Sequence, residues 1–201
     1  MNYKLLFMFS GIVEATARVA ALEKEKENLH ITLECAFAKD LRIDQSVAHN
    51  GVCLTVTRCN ATQYTLTAVQ ETLQKSNLGL LQVGDEVNVE RSMRLDSLLD
   101  GHLVQGHTDQ TAVCTEVAEA GGSWYFTFAY DASRGNITVE KGSIAVNGVS
   151  LTVVNSQRGS FQVAIIPYTY EHTNFHAIKK DTVVNLEFDI VGKYIAKLMG
   201  K

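Results

Sequence analysis

Residues 49–56, HNGVCLTV, return at residues 146–153 as VNGVSLTV, shifted by 97 positions and with the cysteine replaced by serine. Two similar octamers arise by chance in a chain rich in strand formers, whereas one offset held by separate segments means duplication. The offset is kept: Cys53 aligns with Ser150, Thr72 with Thr169, Asn77 with Asn174 and Asn88 with Asn185. Upstream, GIVEATA at 11–17 parallels GHTDQTA at 106–112 with an offset of 95. A two-residue length change therefore separates the first strand of each copy from the rest, and the repeating unit is about 95 residues long.

A chain of 201 residues accommodates two such units, each large enough to bury a core of its own. With 46% hydrophobic residues, 20% charged residues and a net charge of −4, it has the composition of a soluble globular protein. It carries no basic stripe that would hold nucleic acid. No run approaches the roughly 18 apolar residues of a membrane span, so a membrane is not an expected partner. Cys35, Cys53, Cys59 and Cys114 have neither CxxC pairing nor other metal spacing, which predicts free thiols in a reducing compartment, the cytoplasm. His30, His172 and His176 also lack ligand spacing, so no metal is expected. At the N-terminus, MNYKLLFMFSGIV has the lysine and short apolar run of a signal peptide. Because GIVEATA belongs to the repeat, cleavage there would cut into the first module. Met8 is an alternative start, which would make MNYKLLF a tag or an extension.

Period-two alternation dominates: HITLECAF, SVAHNGVCLTVT, QYTLTAV, EVNVERS, WYFTFAY, SIAVNGVSLTVV, SFQVAIIP and VVNLEFDI are short, β-branched and bounded by turn residues. Asn50-Gly51 and Asn147-Gly148 sit where two-residue hairpin turns need positive φ. The expected fold is all-β, a tandem pair of antiparallel β-barrels of about six strands each, since closure removes exposed edges. The strand pattern stops at SMRLDSLLD, residues 92–100, and places the boundary there: 1–94 for the first barrel and 95–189 for the second. In IVGKYIAKLM, Ile190, Val191, Tyr194, Ile195, Leu198 and Met199 share one side of a helix, so residues 190–201 read either as a helix packed on its own barrel or as an oligomer contact. Within the octamers, Val52, Leu54 and Val56 point one way and Cys53 and Thr55 the other. In the second copy, Val149, Leu151 and Val153 oppose Ser150 and Thr152. One face is core; the other carries polar groups in both copies.

MFSGIVE, SVAHNGVCLTVT, ETLQKSNLG, GDEVNVER, GHLVQGHTD, KGSIAVNGVSLTV, IPYTYEHTN and VVNLEFD stand in the order in which they occur in the riboflavin synthase family, which the chain resembles from Met8 to the C-terminal helix. The resemblance implies two six-stranded barrels, each binding one 6,7-dimethyl-8-ribityllumazine, and a helix that helps assemble a homotrimer. It also implies the reaction: one lumazine donates a four-carbon unit to the other, giving riboflavin and 5-amino-6-ribitylaminouracil with no metal and no bound cofactor. The implied partners are the lumazine substrate, the protein itself and lumazine synthase. A competing class, the non-catalytic lumazine- and flavin-binding proteins, resembles the synthase but has a degraded second site.

Carried over by motif, the first pocket would use Gly11, Ile12, Val13, Cys53, Leu54, Thr55, Thr67, Ala68, Val69, Gln70, Glu71 and Thr72. The second would use Gly106, His107, Thr108, Lys141, Ser150, Leu151, Thr152, Ala164, Ile165, Ile166, Pro167, Tyr168 and Thr169. For the chemistry, the resemblance points to Cys53, His107, Ser150 and Asp189, with Lys141 near the ring. Structural readings stand beside these roles: Asp189 as the N-cap of the terminal helix, His102 as a backbone partner, and Lys141 as a solvated turn residue. Because the two substrates have different fates, differences between the copies matter: Cys53 against Ser150, His49 against Val146, and His107 at the place of Ile12. Tyr168, Tyr170 and Phe175-His176 depart from the family pattern and would reshape the second pocket.

Overall fold

The computed structural model describes residues 8–200; the N-terminal extension read from MNYKLLF lies outside the described residues. Strands β1 (Ala15–Glu25), β2 (Asn28–Glu34), β3 (Ser46–His49), β4 (Val52–Cys59), β5 (Gln63–Ala68) and β6 (Glu86–Arg91) close into one antiparallel barrel in the order β1-β2-β5-β4-β3-β6. A short helix, α1 (Gln70–Lys75), follows β5. The second barrel repeats this order with β7 (Gln110–Ala120), β8 (Ser123–Tyr130), β9 (Ser143–Val146), β10 (Val149–Gln157), β11 (Ser160–Ile165) and β12 (Val183–Phe188), with α2 (Pro167–His172) after β11. The helix α3 (Ile190–Leu198) ends the fold. The duplicated barrels and terminal helix thus form as expected.

Two details correct the sequence reading. β1 begins at Ala15, so GIVE is not strand, and the stretch 8–14 takes another role described below. The length change also falls later than the first strand. Leu22 pairs with Ile31 and Val117 with Phe126, both at an offset of 95, while Leu66 pairs with Ile31 and Val163 with Phe126, an offset of 97. The two extra residues therefore sit in the loop between β8 and β9.

Alternation builds each core as read. Val52 and Val56 are buried with Ile31, Leu33 and Leu66, while Cys53 and Thr55 face away. Val149 and Val153 are buried among Phe126, Phe128, Phe161 and Phe175. One apparent asymmetry is only a core exchange. His49 Nε2 lies 2.9 Å from Tyr64 Oη, and burial pushes its pKa down to about 3, so it is a neutral packing group. The same positions in the second barrel are Val146 and Phe161, an apolar pair. His49 is thereby removed from the residues that distinguish the pockets chemically.

The barrels meet across a pseudo-two-fold axis through the two Asn-Gly turns. His49 pairs with Val52 and Val149 with Val146, leaving the expected two-residue loops with positive φ throughout. Glycine is required here for space as well: a Cβ on Gly51 would stand 2.8 Å from the backbone nitrogen of Gly148. Six buried asparagines, three pairs related by the repeat, connect the turns to the opposite barrel. Asn185 Nδ2 donates to the Asn50 carbonyl and to Asn77 Oδ1, both at 2.8 Å. Asn88 Nδ2 donates to the Asn147 carbonyl at 3.0 Å and to Asn174 Oδ1 at 2.9 Å. Such a network stabilises only when complete, because each buried orphan costs about 1–3 kcal/mol.

Candidate functional site

The segments before β1 and β7 decide the geometry. Phe9 and Val104 bridge on the pseudo-axis, with N···O distances of 2.7 and 3.0 Å, and from there each chain segment runs over the other half's barrel. The Ser150 N–H donates to the Gly11 carbonyl at 2.7 Å, and the Cys53 N–H donates to the Gly106 carbonyl at 2.8 Å. Val13 packs against the second core. The pockets are therefore grouped differently from the motif-by-motif expectation: Gly11, Ile12 and Val13 belong with Ser150, and Gly106, His107 and Thr108 with Cys53. The sequence reading kept each stretch with its own repeat because linear order shows no crossing.

A buried glutamate anchors each strap. Glu90 on β6 accepts from the Ser10 N–H at 2.7 Å, the Ser10 hydroxyl at 2.8 Å and the Gly11 N–H at 3.0 Å. Glu187 on β12 accepts from the N–H groups of Gln105, Gly106 and His107 at 2.6, 2.9 and 2.9 Å. Burial pushes Glu187 up to about 7 against the lowering effect of its backbone donors, and burial raises Glu90 too. Neither glutamate stands out in the sequence, because in an alternating strand Glu90 and Glu187 fall on the side opposite Val87, Val89, Val184 and Leu186. The available signal was a carboxylate repeated at one offset in VNVE and VNLE.

Around Cys53, the strap, β4 and α1 enclose a cavity of about 150 Å³ lined by Cys53, Glu71, Thr72, Lys75, Ser76 and Gly106 to Thr108. Cys53 is half-buried; burial pushes its thiol up, and the nearby Glu187 carboxylate adds to this against a hydrogen bond from Ser46. At neutral pH it is therefore a thiol. His107 is exposed beside it, with its backbone fixed by Glu187. Thr67 Oγ1 is 2.8 Å from His30 Nδ1. Ala68 is buried, Val69 and Gln70 are exposed, and Leu54 leans toward the core.

Around Ser150 the same backbone carries other groups. His102 Nδ1 lies 2.7 Å from Ser150 Oγ. Burial lowers the His102 pKa while the charge of Asp189 raises it, so the imidazole is neutral at pH 7. His102 is thus a direct partner of the candidate serine, beyond the local backbone role read from its glycine neighbour. Asp189 does cap α3, accepting from the Val191 N–H at 2.9 Å, and its charge also reaches His102, so the two readings are compatible. Leu151 is half-buried, Thr152 exposed, Ile165 buried, and Ala164, Ile166, Pro167 and Tyr168 exposed, with Thr169 half-buried. Lys141 stands on the turn entering β9 at φ 64°, its amine 3.9 Å from Glu140, which is the solvated turn position.

Other clefts are larger. One of about 630 Å³ opens on the pseudo-axis, where Glu86 pairs with His176 at 3.2 Å, but its asparagines are consumed by the inter-barrel network. All four cysteines are free, and among the described residues no helix is long and apolar enough to cross a membrane.

Comparison with known proteins identifies relatives of this duplicated chain. The lumazine binding domain family matches the chain twice, over residues 10–92 and 105–189. Riboflavin synthase of Actinobacillus pleuropneumoniae is 38% identical, covering 96% of this chain and 91% of that protein. Riboflavin synthase of Mycobacterium tuberculosis (strain ATCC 25618 / H37Rv) is 40% identical over 96% and 98% of the two chains, and that of Bacillus subtilis (strain 168) 35% over 96% and 91%. Among solved structures, LumP complexed with 6,7-dimethyl-8-(1'-D-ribityl) lumazine superposes with a TM-score of 0.81 at 19% identity, covering 90% of this chain and 98% of that one. LumP complexed with riboflavin gives 0.82 at 20%, over 89% and 98%. At such identities these two structures speak for the fold.

Proposed function

The chain belongs to the riboflavin synthase family, enzymes of the transferase type, and we propose that it converts two molecules of 6,7-dimethyl-8-ribityllumazine into riboflavin and 5-amino-6-ribitylaminouracil. The atoms of two lumazines equal those of the two products, so the exchange of a four-carbon unit needs no external oxidant or reductant. One lumazine occupies the Cys53 pocket and the other the Ser150 pocket. Strap backbone, Thr72, Thr169 and the strand hydroxyls offer the hydrogen-bond partners that a pteridine edge and a ribityl chain require.

In the Ser150 pocket, His102 orients the hydroxyl and serves as proton acceptor when that oxygen adds to a ring or directs water to it. In the Cys53 pocket, the thiol and His107 lie at the reacting edge, the thiol acting in its protonated form until His107 or substrate removes the proton. The observation that carries this reading is that both halves keep reactive polar groups at the same backbone position, Cys53 beside His107 in the first and Ser150 at 2.7 Å from His102 in the second. A purely binding protein needs only one. Incubation with the lumazine tests it: riboflavin accumulation supports catalysis, and a bound fluorophore without turnover supports the binding reading.

The two lumazines must approach closely, and the Cys53 cavity of about 150 Å³ is well below the roughly 300–1,000 Å³ of a complete ligand site. We therefore assign the full active centre to two facing half-sites, the N-terminal pocket of one subunit and the C-terminal pocket of its neighbour in a homotrimer. Helix α3 supports this assembly: Val191, Tyr194, Ile195 and Leu198 are more than half exposed, while Lys193 bonds to Asp109 Oδ1 at 2.7 Å and ties the helix to its barrel. Four free thiols suit the cytoplasm, where we place the protein.

A further inference from the structure

Helices α1 and α2 hold equivalent places in their barrels, so that by the repeat α2 stands toward Ser150 as α1 stands toward Cys53, but they present different chemistry there. In α1, Glu71 and Lys75 lie one turn apart, pair at 2.6 Å and line the Cys53 cavity. The positions 97 residues on are Tyr168 and His172, whose rings stack with centroids 4.1 Å apart and planes 16° from parallel. His172 is further fixed by Nδ1, 2.8 Å from the Tyr168 carbonyl oxygen. Tyr170 stacks on Trp124 at 3.8 Å, and that contact seats α2 on the barrel. Tyr168 nevertheless remains 68% exposed, beside the exposed Ile166. The exchanged strap adds a third exposed apolar group, Ile12, where the Cys53 pocket has His107. One mouth is charged and polar; the other is apolar and aromatic.

An aromatic ring that is held by a neighbour yet left uncovered is preorganised for a flat partner, because little rotamer freedom remains to be lost. We propose that Tyr168, backed by His172, is a specificity-determining residue of the C-terminal pocket, stacking on the heteroaromatic ring of the bound ligand. The N-terminal pocket, with Glu71 and Lys75 at that position, holds its ligand through hydrogen bonds to polar edges and the polyol chain. The inference rests on the lumazine chemistry proposed for the two pockets and adds a second source of the asymmetry that dismutation demands.

The probe is lumichrome, a tricyclic flavin ring without the ribityl chain, titrated calorimetrically into the full-length protein, with riboflavin formation from the lumazine measured in parallel. The expected result is one lumichrome per chain. Tyr168→Ala weakens its binding about threefold to tenfold, Tyr168→Phe changes it by less than about twofold, and Glu71→Ala leaves it unchanged. Unchanged lumichrome affinity in Tyr168→Ala overturns the proposal, as does an equal loss in Glu71→Ala or an absence of binding to the parent protein. Failure of the parent to turn over lumazine, with lumichrome still lost in Tyr168→Ala, contradicts the catalytic reading and leaves the stacking role standing.

Discussion

Around Cys53, a half-buried thiol shares its pocket with an exposed histidine and an ion pair, whereas around Ser150 the same backbone holds a hydroxyl against a buried neutral histidine and an aromatic rim. What the two regions share is framework: crossed straps, anchoring glutamates, back-to-back Asn-Gly turns and the asparagine network all keep the repeat. What differs lies around Cys53 and Ser150. Under the proposed function, duplication supplies two matched holders and these substitutions supply the inequality between donor and acceptor.

The shared framework predicts equal damage from equivalent changes. Asn185→Leu strips donors from the Asn50 carbonyl and Asn77 Oδ1, and Asn88→Leu strips them from the Asn147 carbonyl and Asn174 Oδ1. Each is expected to lower unfolding free energy by about 2–4 kcal/mol in urea denaturation. A large difference between them would break the equivalence of the halves.

The anchors sharpen the comparison through pH. Glu187 binds its proton more tightly folded than unfolded, since burial pushes it from 4.5 to about 7. Its favourable contribution is therefore complete below about pH 4.5 and is lost as pH rises through 7, a change on the order of 3 kcal/mol. Glu187→Gln should flatten that part of the stability-pH curve. Because Glu187 carries the Gly106–His107 strap, Glu187→Gln should also alter the pH profile of turnover.

Exchanging the pocket residues gives a smaller effect. Ser150→Ala removes the His102 partner and is expected to slow turnover about tenfold to a hundredfold, and the same change in His102→Ala would show that the two act as one unit. Cys53→Ser should cost less than Cys53→Ala, since the thiol is protonated and a hydroxyl preserves its hydrogen bonding. The smallest effect is in the core: His49→Val alone strands the Tyr64 hydroxyl and costs about 1–3 kcal/mol, whereas adding Tyr64→Phe recreates the Val146–Phe161 pair and restores most of it.

Strands, turns and the duplication were legible because alternation, Asn-Gly pairs and a fixed offset are local or arithmetic signals. The polar side of β4 and β10, with Cys53 and Ser150 opposite the buried valines, was legible for the same reason. The crossing of the straps was not, since Gly11 meets Ser150 and Gly106 meets Cys53 only through tertiary contact. The two glutamates were missed, and His102 was read only as a local backbone partner, because their burial depends on those straps, and a strand pattern alone reads Glu90 and Glu187 as outward-facing. Conversely, His49 drew notice as a titratable difference between the copies but serves packing, which only its distance to Tyr64 reveals.

The proposed active centre pairs an N-terminal pocket with a C-terminal pocket across a subunit boundary. Mixing a Cys53→Ala chain with a Ser150→Ala chain, allowing subunits to exchange and measuring riboflavin formation tests it most directly. The account predicts that the exchanged mixture exceeds the summed rates of the separate variants, because a mixed oligomer brings one intact pocket of each kind together. A mixture that stays at the summed rates, with exchange verified by mass, would place both pockets of the active centre within one chain and contradict the account.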